Sequence, residues 1–421
     1  MKKTALVCII IMLLSTTAMA AKPVTLRLFS PYFTEEPTGT LLRELVATWN
    51  GENPDIQIEV IAVPHSDRET KFRSLMMANQ GPDIVAVPPG SLDNYYTSGY
   101  LLNLEPLIAA TGGDGYKAQF TEVAQKAVSV DNDWYALPTW GGIHALYYNI
   151  DLFEQAGLDP NNPPETWSEF LEAAKILTTG DQYGYGMYGY RNEVSIRELL
   201  PWLVSNGTQL FNDDMTKATF ADEKGIEAFT FFVELATKHN VVPPGVTTAG
   251  YNEVSLMFAN EQVAMYQNAQ WGRSKAHHDN PNIEGKFLVA PIPRPDNAES
   301  SAAVYVSVAN AITTQCKQPE AAWKFLNYYT NDENLIRRNE VMGFLPARKA
   351  AAASPRVVGD PFIKGFIDLF PIANMRPRHA RIQEINLALA DALQAALLGI
   401  KTPEQALKDA ELEVNGILRG N

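Results

Sequence analysis

The stretch from Val24 to Val87 switches repeatedly between two periodicities, and that limits the possible folds more than any other feature. Val24-Thr25-Leu26-Arg27-Leu28 alternates apolar and polar, the period-two pattern of a strand. Beyond Phe29-Ser30-Pro31-Tyr32, the residues Leu41, Leu42, Leu45, Val46 and Trp49 fall on one helical face. Asn53-Pro54-Asp55 breaks that helix, and Ile56 to Val60 alternates again. A second helix carries Phe72, Leu75 and Met76, and Asp83-Ile84-Val85-Ala86-Val87 reads as a buried strand after Gly81-Pro82. This order predicts a wound α/β sheet, whose ligands gather beyond the carboxyl ends of its strands, here Ser30–Tyr32 and Pro88–Ser91.

The pattern resumes after Trp134. Leu146 to Asn149 is strand-like, and Thr166 is the expected N-cap of a helix, with Glu169 at capping-box spacing. A helix near Lys224–Lys238, strands near Val263–Gln267 and Ala303–Ile312, and a helix opened by Pro319 follow. The C-terminal region is helical, with Ile382, Ile385, Leu389, Leu393 and Leu397 on one face, then a last helix from Thr402-Pro403-Glu404. No repeat or linker-like stretch separates domains, so the chain must pass between them through ordered segments.

The chain opens with Lys2-Lys3, an apolar run from Ala5 to Leu14, and Ala18-Met19-Ala20, the pattern of a secretory leader cleaved after Ala20. No cysteine follows that point to accept a lipid, so the mature chain is expected to be exported and soluble. Such a chain meets no nucleotide pool, which weakens ATP- and NAD-dependent chemistry. The 401 residues that remain suit two domains. Formal charge is −14, or −16 once Lys2 and Lys3 are removed, which argues against nucleic acid or an anionic membrane as partner. Only Cys316 survives cleavage; with no partner for a disulfide it is read as structural.

Motifs for covalent chemistry are weak. Gly184-Tyr185-Gly186-Met187-Tyr188-Gly189 matches a dinucleotide fingerprint by letter, but sits among alternating aromatics instead of opening a helix. His277-His278-Asp279 is read as a solvated loop, and Asp131-Asn132-Asp133 lacks the glycine and ligand spacing of a calcium loop. Glu35-Glu36 offers a carboxylate pair past the first strand, more often a pair of helix-start charges than a catalytic one. No cofactor and no metal is expected. Tyr32, Trp140, Tyr188, Trp202, Trp271 and Phe344 stand at the ends of apolar runs beside Gly, Pro or polar residues. Aromatic faces stack on the C–H patches of sugar rings, so together they point to a carbohydrate cleft.

Five stretches in order extend this reading: Gly81-Pro82-Asp83-Ile84; Leu137-Pro138 through Leu146-Tyr147-Tyr148-Asn149; Pro164-Glu165-Thr166-Trp167; Ala264-Met265 through Trp271; and Met375 to Ala410. In these the chain resembles the extracellular solute-binding proteins of ABC importers, in their carbohydrate-binding, maltose-binding-protein-like group. The resemblance implies an α/β two-lobe periplasmic binding protein fold of type II, with a ligand cleft between lobes joined by a hinge. The lobes implied are 21–138 plus 300–345 and 139–299 plus 346–421, after a signal peptide at 1–20. Crossings are implied near Leu137–Thr139, Pro295–Ala303 and Gly343–Arg348. A sugar-stacking role carries to Trp271, and further contacts to Ser30, Tyr32, Pro89, Gly90, Ser91, Trp140, Gly141, Gly142, Gly343, Phe344, Arg376 and Arg378. Tyr188, Arg191 and Tyr305 complete the expected site. Gln383, Glu384 and Ile385 stand where the group places a stacking Trp, which argues against long maltodextrins.

The function expected is capture of a sugar or polyol in the periplasm by a monomer that closes its hinge and delivers the solute to a membrane permease. Arg191, Arg197, Arg376 and Arg378 leave an anionic solute, a sugar acid or glycerol phosphate derivative, as the alternative; the wealth of aromatics leans toward a neutral one. A secreted glycosidase or lyase and a sensor component that hands its solute to a receptor are the rivals.

Overall fold

The computed structural model describes residues 23–420 apart from 35, 66, 377 and 380, so the expected leader, Glu35 and Pro377 lie outside the described residues. The strands are β1 (Val24–Ser30), β2 (Ile56–Ala62), β3 (Ile84–Val87), β4 (Ser129–Val130), β5 (Asp133–Trp134), β6 (Leu137–Ile143), β7 (Ala145–Asn149), β8 (Tyr183–Gly186), β9 (Val263–Asn268), β10 (Phe287–Ala290), β11 (Ala303–Ile312), β12 (Leu345–Pro346) and β13 (Ala373–Met375). A seven-stranded sheet runs β12-β6-β11-β3-β1-β2, with β13 paired to the start of β11. It is parallel across β1–β3, which the intervening helices require, and antiparallel where β11 meets β3 and β6. A four-stranded sheet runs β10-β7-β9-β8. Each sheet is the centre of one α/β lobe.

Helices form where the apolar spacing predicts them. Thr38–Glu52 buries Leu41, Leu42, Leu45, Val46 and Trp49. Trp167–Ile176 starts at Thr166 with the complete capping box: Thr166 Oγ1 accepts from Glu169 N, and the Glu169 carboxylate accepts from Thr166 N. Ile382–Leu397 and Pro403–Leu418 pack on each other and on the helix Glu223–Thr237. The second sheet is buried on both faces. Along β7, Leu146 and Tyr148 pack on one side with Trp202 and the C-terminal helices, while Tyr147 turns to the other with Phe258, Tyr266 and Phe287.

Several local expectations meet a physical reason in the fold. Gly184 presses against the backbone of Ala174, leaving no room for a side chain, so the fingerprint glycines serve close helix-on-strand packing. Asp131 and Asn132, both at positive φ, form the tight turn of the β4–β5 hairpin. His277-His278-Asp279 is a correction: it ends the helix Gly272–Asp279 and is not a loop, with both imidazoles exposed. Glu36 accepts from the amide of Thr40 and pairs with Arg43 at the start of the first helix. Cys316 is half-buried, and burial pushes its thiol up to about 12.

The expected lobe boundaries 138/139 and 345/346 fall inside the strands β6 and β12. The chain leaves the first sheet at His144, because β6 must reach Ile143 to pair with Tyr305 of β11. It returns between β10 and β11, and departs again after β12 toward the helix Pro361–Ile367, which packs on β10. It also comes back once more through β13, a return that the sequence pattern does not signal.

Candidate functional site

A cavity of about 560 Å³ opens between the two lobes. From the first lobe it takes Tyr32 after β1, His65 and Arg68 after β2, Pro88 and Pro89 after β3, Trp140 on β6, Val306 and Val308 on β11, and Phe344 before β12. The second lobe supplies Glu193 and Arg197 from the helix Glu193–Ser205, Tyr251, Trp271, and Gln383 from the helix Ile382–Leu397, while Arg376 follows β13. Strand ends and helix starts therefore build the walls, as a wound α/β sheet dictates.

The aromatic part of the wall is ordered by ring-on-ring contacts. Trp140 and Phe344 lie face to face, centroids 3.7 Å apart and planes 2° from parallel, and Tyr32 meets Trp140 edge-on at 5.4 Å. Trp271 follows β9 and lies against Gly142 of β6, with His144 edge-on at 5.6 Å and the Arg197 guanidinium 5.9 Å from its ring centre. A methyl group at Gly142 would overlap the indole. Gly142→Ala is therefore expected to turn Trp271 out of place at an overpacking cost of about 1–3 kcal/mol. A changed tryptophan emission together with a lower melting temperature checks this; an unaltered spectrum contradicts it.

Charged groups lie beneath the aromatic wall. His144 is fully buried, and its Nδ1 stands 3.1 Å from Glu198 Oε1 without the alignment of a hydrogen bond. Burial holds the imidazole below its usual pKa, outweighing the pull of Glu198 the other way, so His144 is neutral near pH 7. Arg197 Nε stands 3.6 Å from Glu198 Oε1, and Arg376 Nη2 stands 3.6 Å from Glu193 Oε2. Burial pushes the pKa of Arg376 down against the pull of Glu193, and Arg197 adds to the push.

Of the residues expected from sequence, Tyr32, Pro89, Trp140, Trp271, Phe344 and Arg376 come together in this cavity. Gly90, Tyr305 and Arg378 line a smaller adjoining chamber of about 40 Å³, which also shares Pro89 and Arg376. Gly141 and Gly142 act from behind the wall, letting Tyr305 and Trp271 close on the β6 backbone. Ser30 and Ser91 are buried beneath the loops, Ser30 Oγ accepting from Tyr32 N at 3.2 Å and Ser91 flanking the helix Leu92–Thr97. Tyr188 does not reach the cavity: it is buried, and its hydroxyl donates to the Gln267 carbonyl at 3.0 Å. Trp202 is likewise core. Arg191 points away and pairs with Asp391 on the surface, and Gly343 ends the helix Asp332–Met342 in the left-handed conformation. Arg378 spends its donors on the carbonyls of Ala127 and Ser129, both 2.8 Å away, and faces Asp93 at 3.3 Å.

His65, Arg68, Glu193 and Tyr251 line the cavity without having been expected there. One signal was available. Asn192 is an N-cap, so Glu193 and Arg197 share a helix face four residues apart, whereas Arg191 lies before the helix.

Residues 34–336 match the family model of bacterial extracellular solute-binding proteins. The chain belongs to that family. This solute-binding protein is 29% identical over 385 residues to a binding protein of Brucella abortus, covering 91% of this chain and 90% of that one. It is 24% identical over 364 residues to the maltotriose-binding protein of Pyrococcus abyssi, 86% of this chain and 74% of the other. Among solved structures, an ABC transporter solute-binding protein of Thermotoga lettingae bound with alpha-D-tagatose superposes with a TM-score of 0.78 at 28% identity, covering 94% of this chain and all of that one. The sugar-binding protein MalE of Xanthomonas citri shares the fold with a TM-score of 0.84 at 20% identity, over 94% and 98% of the two chains. The family consists of substrate-binding proteins, and no helix among the described residues is long and apolar enough to cross a membrane.

Proposed function

We propose that this solute-binding protein works as a monomer in the periplasm, capturing a sugar or polyol and delivering it to the permease of an ABC importer. The observation that carries the reading is a cavity whose aromatic and hydrogen-bonding groups come from both lobes. A solute touching both walls binds the closed arrangement better than the open one and so shifts the equilibrium between them. The ligands named for relatives, maltotriose and tagatose, support a carbohydrate. Capture by shape and stacking needs no cofactor and no bond-breaking step.

A thermal-shift screen over monosaccharides, disaccharides and polyols tests this, because a ligand that binds only the folded chain raises its melting temperature. A saturating hit at a hundredfold excess over its Kd should stabilise by about 2.7 kcal/mol. Mass spectrometry after long incubation should then return that hit unchanged; released product would replace the binding reading with an enzymatic one.

A further inference from the structure

Two guanidinium groups in the cavity wall each stand near a carboxylate but beyond hydrogen-bond distance of it. Arg197 has only Glu198 nearby, 3.6 Å from Nε, and that Nε is buried without a hydrogen-bond partner. The nearest carboxylate oxygen to Arg376 is that of Glu193, 3.6 Å from Nη2 and beyond a normal hydrogen bond. Their side chains are only 16% and 15% exposed, so water cannot freely replace a missing partner. Arg68, whose Nε is also buried and unpartnered, adds a third cation to a wall whose one acidic member is Glu193. Beneath Arg376, the hydroxyls of Tyr305 and Ser307 line the side chamber, buried and without hydrogen bonds. Donors and positive charge thus converge where a chain of net charge −14 has every other reason to be acidic.

We propose that the solute is an anionic sugar, whose carboxylate or phosphate is held by Arg197 and Arg376 while its ring lies against Trp271. This rests on the reading of the cleft as a carbohydrate site and names the class of carbohydrate. A neutral hydroxyl could accept from the same donors, but would add no charge to two largely buried guanidinium groups whose nearest carboxylates, at 3.6 Å, lie beyond a normal hydrogen bond. An oxyanion satisfies them with charge-assisted bonds that a planar guanidinium is shaped to make. The protein's own charge repels anions at long range, and contact with two arginines outweighs it locally.

Titration calorimetry of the full mature chain with matched pairs decides the matter: D-glucuronate against D-glucose, D-galacturonate against D-galactose, a digalacturonate against the galactobiose of the same linkage, and hexose phosphates beside them. The anionic member should bind about 10- to 100-fold tighter than its neutral partner, with an advantage that shrinks between about 20 and about 200 mM salt. Comparison of the acid and phosphate arms tells which oxyanion fits. Arg376→Gln and Arg197→Gln should each abolish the preference, and Arg376→Lys should keep part of it because charge remains without the fork. Equal or tighter binding of the neutral members by the unaltered protein overturns the inference and leaves the carbohydrate reading standing. Failure of every member of both series to bind overturns the carbohydrate reading and this inference with it.

Discussion

Trp271→Ala is expected to weaken binding of the solute by roughly 5- to 150-fold, about 1–3 kcal/mol, the value of an aromatic platform facing a ring. The indole is positioned from three sides: Gly142 permits its approach to β6, His144 meets it edge-on, and Arg197 stands over its face. Those contacts hold one orientation without ligand, so little ordering remains for the solute to induce. Truncation removes stacking area and also frees the Arg197 guanidinium. Calorimetry of the variant, with its ligand-free melting curve beside it, separates the two possible roles of the residue. A large drop in melting temperature with unchanged affinity would make Trp271 a packing residue only.

The largest effect on stability is expected from Trp202→Ala, about 3–5 kcal/mol for a large buried side chain and its cavity. Trp202 is fully buried, and its Nε1 donates to Gln267 Oε1 at 2.9 Å, while Gln267 Nε2 donates to the Glu198 carbonyl at 2.9 Å. The pair clamps the helix Glu193–Ser205 onto β9, two elements that carry Glu193, Arg197 and the approach to Trp271. Deleting the indole leaves the Gln267 side-chain oxygen Oε1 without that donor, a further cost of about 1–3 kcal/mol. A melting temperature lowered by on the order of 10 °C is the expected outcome. Trp202→Phe, which refills most of the volume, should recover the packing share and not the hydrogen bond. A variant as stable as the parent would refute the clamp.

The secondary structure was legible wherever one periodicity ran undisturbed. Thr166 with Glu169, the apolar face of Thr38–Glu52 and the alternation of β1 each state a local preference that packing does not overrule. Resemblance to a family supplied Trp140, Trp271 and Phe344, aromatic residues at element ends, and all three line the cavity. The polar part of the wall was much less legible. His65, Arg68 and Tyr251 follow strands or open helices, where polar residues are ordinary and nothing local tells solvent from cleft. Arg376 and Arg378 show the limit most clearly. Two residues apart, they are alike in sequence, but one enters the cavity and the other binds the carbonyls before and within β4. Only the tertiary position of the β4–β5 hairpin distinguishes them.

The position of β11 reaches beyond the finished molecule. It lies between β6 and β3 in the first sheet, although residues 303–312 come after all four strands of the second sheet in the chain. The first three strands, made early, can pair with one another, but the outer edge of β3 has no partner until that late segment emerges. Such long-range pairing folds slowly. A sheet completed by its own latecomer keeps its early strands open to solvent while the rest of the chain is made.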